Sequence, residues 1–95
     1  MSTVGVIGAS GAVGAGVARA LARIGTDLRL GTRVPRRVRG LVDELDRLGE
    51  PDIEVRTVDL DDEISFFSFL NGLDAVVCCA APSSRWSGPP ARKAL

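Results

Sequence analysis

Gly8, Gly11 and Gly14 recur at intervals of three between a short apolar run, Thr3 to Ile7, and a segment with helical periodicity. Each position has a physical use for a residue without a side chain. Gly8 permits a tight turn, Gly11 lets main chain approach a ligand closely, and Gly14 lets a helix pack against the strand before it. The chemistry on offer is anion binding. Main-chain amides of Ser10, Gly11, Ala12 and Val13 precede the first helical hydrogen bonds, and the positive end of the helix dipole lies behind them. A purely structural strand-turn-helix corner is the competing reading. The strand before and helix after favour a phosphate loop that grips the pyrophosphate of a dinucleotide.

A second group follows at Gly31-Thr32-Arg33, where a second strand ends. In dinucleotide sites an acidic residue here accepts from a ribose hydroxyl, whereas an arginine pairs with a 2′-phosphate. No Asp or Glu occurs between Leu28 and Leu41, and Arg29, Arg33, Arg36, Arg37 and Arg39 fill that window. Guanidinium groups bind phosphate in bidentate fashion. Arg33, with Thr32 beside it, therefore reads as a 2′-phosphate contact, and the expected cofactor is NADP, with NADPH preferred over NADH. Arg36, Arg37 and Arg39 read equally well as a solvated helix start. Asp59, followed by Leu60, either accepts from the adenine amino group or caps the next helix. Ala80, Ala81 and Pro82 are small or compact residues at the end of a fourth strand, where the nicotinamide half would run.

The elements that position these groups alternate. Thr3 to Ile7 is a strand, and Val13, Val17, Leu21 and Ile24 mark the apolar stripe of a first helix. Asp27 to Thr32 is a second strand. Pro35 starts a helix whose buried face is Val38, Leu41, Val42, Leu45 and Leu48, ended by Gly49 and Pro51. Ile53 to Leu60 alternates like a half-exposed edge strand. Asp61, Asp62 and Glu63 place negative charge at the start of a third helix whose buried face is Phe66, Phe69, Leu70 and Leu73. Asp74 to Ala80 is apolar on both faces, as in the interior of a parallel sheet. Such alternation implies right-handed crossovers and an α/β, Rossmann-type three-layer fold with strand order 3-2-1-4. It stops after the fourth strand, and residues 1–95 read as one nucleotide-binding domain at the start of a longer protein.

Composition narrows the function classes. The chain is 45% hydrophobic and 25% charged, proportions of an ordinary soluble domain. Its formal net charge is zero, so no overall field attracts nucleic acid or an anionic membrane. No apolar run is long enough to cross a bilayer, and the expected setting is cytoplasmic. Cys78 and Cys79 are adjacent in a strand and point to opposite faces, which disfavours a disulfide between them. They read as buried free thiols. Histidine is absent, so no metal site is expected. Tyrosine is absent as well, and no catalytic acid or base is identifiable.

With these residues in place, the chain resembles the NADP-binding N-terminal domain of the saccharopine dehydrogenase (saccharopine reductase) family. The matching stretches are Gly8 to Gly14, Gly31-Thr32-Arg33, Val58 to Asp62, Asn71 to Val77, and Cys78-Cys79-Ala80-Ala81-Pro82 followed by Gly88-Pro89-Pro90-Ala91-Arg92. The family shows asparagine where this chain has Cys78 and glycine where it has Ala81. The resemblance implies an oxidoreductase in which a second domain binds a small-molecule substrate and completes the hydride-transfer site. The glycine run alone is equally similar to semialdehyde dehydrogenases and to NmrA-like reductases, some of which sense NADP without catalysis. In that non-catalytic reading the fourth strand pairs with a partner or makes a homo-oligomer.

Overall fold

The computed structural model describes residues 2–49 and 51–80. Strands β1 (Thr3–Ile7), β2 (Asp27–Thr32), β3 (Ile53–Thr57) and β4 (Ala75–Cys78) form one parallel sheet in the order β3-β2-β1-β4. Helix α1 (Ala12–Arg23) joins β1 to β2. A 3-10 turn at Pro35–Val38 leads into α2 (Arg39–Asp46), and α3 (Glu63–Leu70) carries the chain from β3 back across the sheet to β4. The order expected from the sequence is thus the order found. Asp74 sets the start of β4 against β1: its Oδ2 accepts from Thr3 N at 2.8 Å and its own N–H donates to Thr3 O at 2.9 Å.

Alternation along the strands sends Val6, Leu28 and Leu30 to one face, where they are buried under α1 and α2 with Val38, Leu41 and Leu45. The face of α1 that meets the sheet differs from the expected stripe. Gly14, Ala18 and Ala22 are buried, Val17 and Leu21 flank them, and Val13 and Ile24 are 69% and 76% exposed. The reason lies at the helix start. A Cβ on Gly14 would overlap the carbonyl of Gly8, so α1 approaches the sheet too closely for large side chains on its inner face, and small residues four apart fill it.

The opposite face is built around Phe69, which is 1% exposed. Its ring crosses two glycines on adjacent strands, since a Cβ on Gly5 would lie 2.8 Å from Phe69 Cε2 and one on Gly31 2.9 Å from Cε1. Ile7, Val58, Leu60, Phe66, Leu70 and Leu73 complete this cluster. Arg29, which the sequence places with the cationic window, is committed elsewhere. Its Nη1 donates to the carbonyls of Phe69 at 2.7 Å and Asn71 at 2.6 Å, and its Nε donates to Glu54 Oε1 at 2.9 Å. It thus satisfies carbonyls at the end of α3, where a cation is also favoured by the helix dipole.

Two expected strands are shorter in the structure. β3 ends at Thr57 rather than Leu60, and β4 spans Ala75–Cys78 rather than Asp74 to Ala80. β3 and β4 are the outer strands of the described sheet, as the expected order requires, and Ala75, Val76 and Cys78 are exposed. Register puts Val76 opposite Gly5 and Cys78 opposite Ile7, on the face that Phe69 covers only over β1 and β2. Both thiols are free, yet Cys78 is exposed and Cys79 half-buried, so the expectation of buried cysteines is corrected. Ile64 and Phe67 on α3 are exposed as well.

The Glu54 carboxyl is held below the usual glutamate range chiefly by its hydrogen bond from Arg29, with burial opposing and Arg56 assisting. A depressed carboxylate contributes stability that is complete above the unfolded value, about 4.3, and is lost as pH falls through the depressed folded value. Glu54→Gln should therefore be less stable than the parent at neutral pH, and the gap should close under acid in urea titrations below about pH 4. Arg29→Ala should cost about 2–3 kcal/mol in the same assay, because the α3 carbonyls lose charged donors.

Candidate functional site

The carboxyl ends of the parallel strands open into a cleft of about 170 Å³, lined by Gly8, Ser10, Thr32, Arg33, Asp59, Leu60 and Ala80 among others. It sits where the strand order reverses, since the chain runs outward from β1 to β3 and then returns to β4 on the other side of β1. Ligands of open α/β sheets bind at such a reversal.

One wall is the glycine turn. Gly8 has φ +88°, and its N–H donates to Gly31 O at 2.9 Å, with the Ala9 N–H reaching the same oxygen at 3.3 Å. That shared carbonyl ties the turn to the end of β2. Gly11 is the N-cap of α1 with no side-chain cap. Its N–H donates to Gly8 O at 3.1 Å, while the amides of Ala12, Val13 and Gly14 reach no acceptor among the described residues. A Cβ on Gly11 would meet only Gly8 O, at 3.6 Å, so the fold itself does not demand glycine there. The three motif glycines therefore separate. Gly8 and Gly14 answer to internal geometry, and Gly11 leaves open space beside unpaired amides, as a pyrophosphate requires.

The second wall is cationic. Arg33 is exposed at the cleft, and Arg37 joins it four residues on; neither pairs with a carboxylate among the described residues. Arg36 and Arg39 face a different, more open notch with Pro35, Val38, Val42 and Val55. The arginine window thus divides into Arg29 at the α3 end, Arg33 and Arg37 at the cleft, and Arg36 and Arg39 outside it. Thr32 is 5% exposed, and its Oγ1 accepts from Val34 N at 3.2 Å and donates to Val34 O at 3.4 Å.

The third wall follows β3. Val58 N donates to Thr32 O at 3.0 Å, and Asp59 Oδ1 accepts from Asp61 N at 2.9 Å. Asp59 does not cap α3. That role falls to Asp62, whose Oδ1 accepts from Ile64 N at 3.1 Å. Ser65 Oγ, donating to Asp59 O and accepting from Asp59 N, holds the turn against the helix. The cleft is consequently polarised, with guanidinium groups and amides on two sides and the carboxylates of Asp59 and Asp61 on the third.

Sequence reasoning singled out Gly8, Ser10, Thr32, Arg33, Asp59, Leu60 and Ala80, and the structure brings these to one cleft. Gly11, Ala12 and Val13 stand exposed at the adjoining helix start, with Gly14 buried behind them. Ala81 and Pro82 lie outside the described residues. Arg37, Gly31, Val34 and Asp61 line the cleft without having been singled out for it. For Arg37 a signal existed: its spacing of four from Arg33 across Pro35 returns it to the same side.

Residues 4–91 match the NAD dependent epimerase/dehydratase family, and the chain belongs to that family. No curated protein matches it. Among solved structures, a short-chain dehydrogenase from Rhodopseudomonas palustris aligns with a TM-score of 0.77 at 28% identity, over 86% of this chain and 41% of that one. An alcohol dehydrogenase from the archaeon Thermococcus sibiricus, complexed with 5-hydroxy-NADP, gives 0.71 at 30% identity over 80% and 35%. A short-chain dehydrogenase from Sphingobium yanoikuyae in complex with NADPH gives 0.65 at 31% identity over 72% and 27%. The chain spans 27% to 41% of the lengths of these three. It is an NAD(P)-binding Rossmann domain of the short-chain dehydrogenase type. The narrower saccharopine dehydrogenase assignment does not follow from these matches.

The division among the motif glycines has a consequence for stability. Gly14→Ala should destabilise by about 1–3 kcal/mol through overpacking against Gly8. Gly11→Ser should leave stability unchanged or raise it by a few tenths of a kcal/mol, because serine at an N-cap satisfies a helix amide. Thermal and chemical unfolding of both variants check this, and equal losses would contradict it.

Proposed function

We propose that this chain, a member of the NAD dependent epimerase/dehydratase family, binds NADP(H), NADPH in preference to NADH. In this reading it positions the nicotinamide for hydride transfer at a carbonyl or imine carbon of a small-molecule substrate. One observation carries this reading: Arg33 and Arg37, which pair with no carboxylate among the described residues, line a cleft at the strand ends, and the helix start adjoining it has amides with no acceptor among those residues. The pyrophosphate would lie on the amides of Ala12 and Val13 with Ser10 beside it, and Arg33 and Arg37 would hold the 2′-phosphate. Asp59 and Leu60 would flank the adenine, Asp59 accepting from its amino group. Ala80, Ala81 and Pro82 would border the nicotinamide side. The cofactor supplies the hydride chemistry, and the chain's own task is to bind and orient it.

The 5-hydroxy-NADP and NADPH complexes of the Thermococcus and Sphingobium enzymes support the choice of cofactor. The substrate would be engaged by parts of the protein corresponding to the remaining length of such enzymes, in a cytoplasmic setting. A saccharopine-like substrate is the narrower proposal, supported by the run Cys78 to Pro82 and the Gly88-Pro89-Pro90 segment. Oxidation of saccharopine coupled to NADP reduction tests it, and turnover of other carbonyl substrates alone would reject it.

Calorimetric titration of the purified protein tests the main reading. NADPH should bind at least about tenfold more tightly than NADH, since the 2′-phosphate contacts are charge-assisted. Arg33→Ala should remove most of that preference with little change for NADH. Gly11→Ser, stable by the preceding argument, should weaken both cofactors because its hydroxyl occupies an amide that the pyrophosphate needs. Equal or absent affinity for the two cofactors in the parent protein would overturn the proposal.

A further inference from the structure

We propose that Thr32 is the positioning residue for cofactor discrimination, acting through Arg33 and Arg37 without touching the ligand. The inference rests on the 2′-phosphate reading above and adds to it the device that aims the two guanidinium groups.

Thr32 is the last residue of β2 and is almost wholly buried. Its hydroxyl is engaged on Val34, accepting from Val34 N at 3.2 Å and making a longer contact of 3.4 Å to Val34 O. What it does is fold the two residues after the strand back on themselves, in the manner of side chains that mimic a backbone turn. Arg33 lies inside that turn. Immediately after it, Arg37 N donates to Val34 O at 2.9 Å, so the same carbonyl that receives the Thr32 hydroxyl also anchors the 3-10 turn carrying Arg37. Val34 O is thus the hinge point of both arginines, and Thr32 holds it.

The base of this arrangement is fixed on either side. Thr32 O accepts from Val58 N, and the neighbouring Gly31 O accepts from the Gly8 and Ala9 amides. The strand end therefore cannot shift to compensate, and loss of the hydroxyl falls on the Arg33–Arg37 segment. Gly31 O holds the glycine turn and the Thr32 hydroxyl holds the arginine turn, so the two are referenced to adjacent residues of one strand.

The test compares NADPH and NADH dissociation constants for the parent, Thr32→Val, Thr32→Ser and Arg33→Ala. Adenosine 2′,5′-bisphosphate serves as a probe of the phosphate subsite alone. Thr32→Val should lower the NADPH-to-NADH affinity ratio about fivefold, the equivalent of about one hydrogen bond, and weaken the bisphosphate by a similar factor. Thr32→Ser, which keeps the hydroxyl, should retain the parent ratio. If Thr32→Val does not fold, Thr32→Ala provides the same deletion without a new methyl. An unchanged ratio in the hydroxyl-less variant, with the ratio lost in Arg33→Ala, would overturn the positioning role while leaving the cofactor proposal standing. Equal weakening of both cofactors would also overturn it, as a purely structural effect. A parent that does not distinguish the cofactors would overturn the cofactor proposal and this inference together.

Discussion

The Gly8 carbonyl is the contact on which the site is built. It receives the Gly11 amide, and it stands where a Cβ of residue 14 would have to go. These two facts bring the start of α1 down onto the turn after β1, beside the cleft. From that approach follows the small-residue face of α1, which can be buried only by side chains no larger than alanine. Gly31 O, holding the Gly8 and Ala9 amides from the other side, makes the turn rigid. The glycine wall of the cleft is therefore main chain held by hydrogen bonds from both sides.

A functional site of this kind leaves something undone in the folded protein. An N-cap serine, threonine, aspartate or asparagine would satisfy helix amides that Gly11 leaves unpaired, and the backbone there would accept one. The sequence is locally suboptimal at the position where a ligand has most to gain. By contrast, α3 has its cap in Asp62 and its terminal carbonyls served by Arg29. One helix is finished at both ends by the protein, and the other is left open at the end facing the cleft. Such local exceptions are where function is expected to reside.

Much of this was legible in the residues themselves. The bounds of β1 and β2 coincide with the apolar run before the glycines and with the alternation of Leu28 and Leu30. The strand order follows from the handedness of crossovers. What the residues concealed depends on distance in space. Periodicity ranks positions by hydrophobicity, so it chose Val13 and Ile24 for the inner face of α1, whereas helix-to-sheet separation chose Gly14, Ala18 and Ala22. Arg29 looked like one more cation in a basic window because its partners, Phe69, Asn71 and Glu54, lie 40, 42 and 25 residues away. Asp59 read as a possible cap and Asp62 only as charge at the helix start, whereas the structure caps α3 with Asp62 and holds Asp59 in the turn tied by Ser65. β4 is apolar on both faces, yet Ala75, Val76 and Cys78 are exposed at the outer position that the expected strand order gives it.

The Thr3 N to Asp74 bond closes a separation of 71 residues, and no two strands of this sheet are joined by a hairpin. Every pairing that shapes the cleft is therefore remote in the chain, and such topologies assemble slowly because each closure costs entropy before it is rewarded. During synthesis the glycine turn and arginines emerge early but cannot acquire the wall that follows β3, or Ala80 after β4, until those strands have left the ribosome. The walls of the cleft therefore cannot meet while only the glycine turn and the arginines have been made.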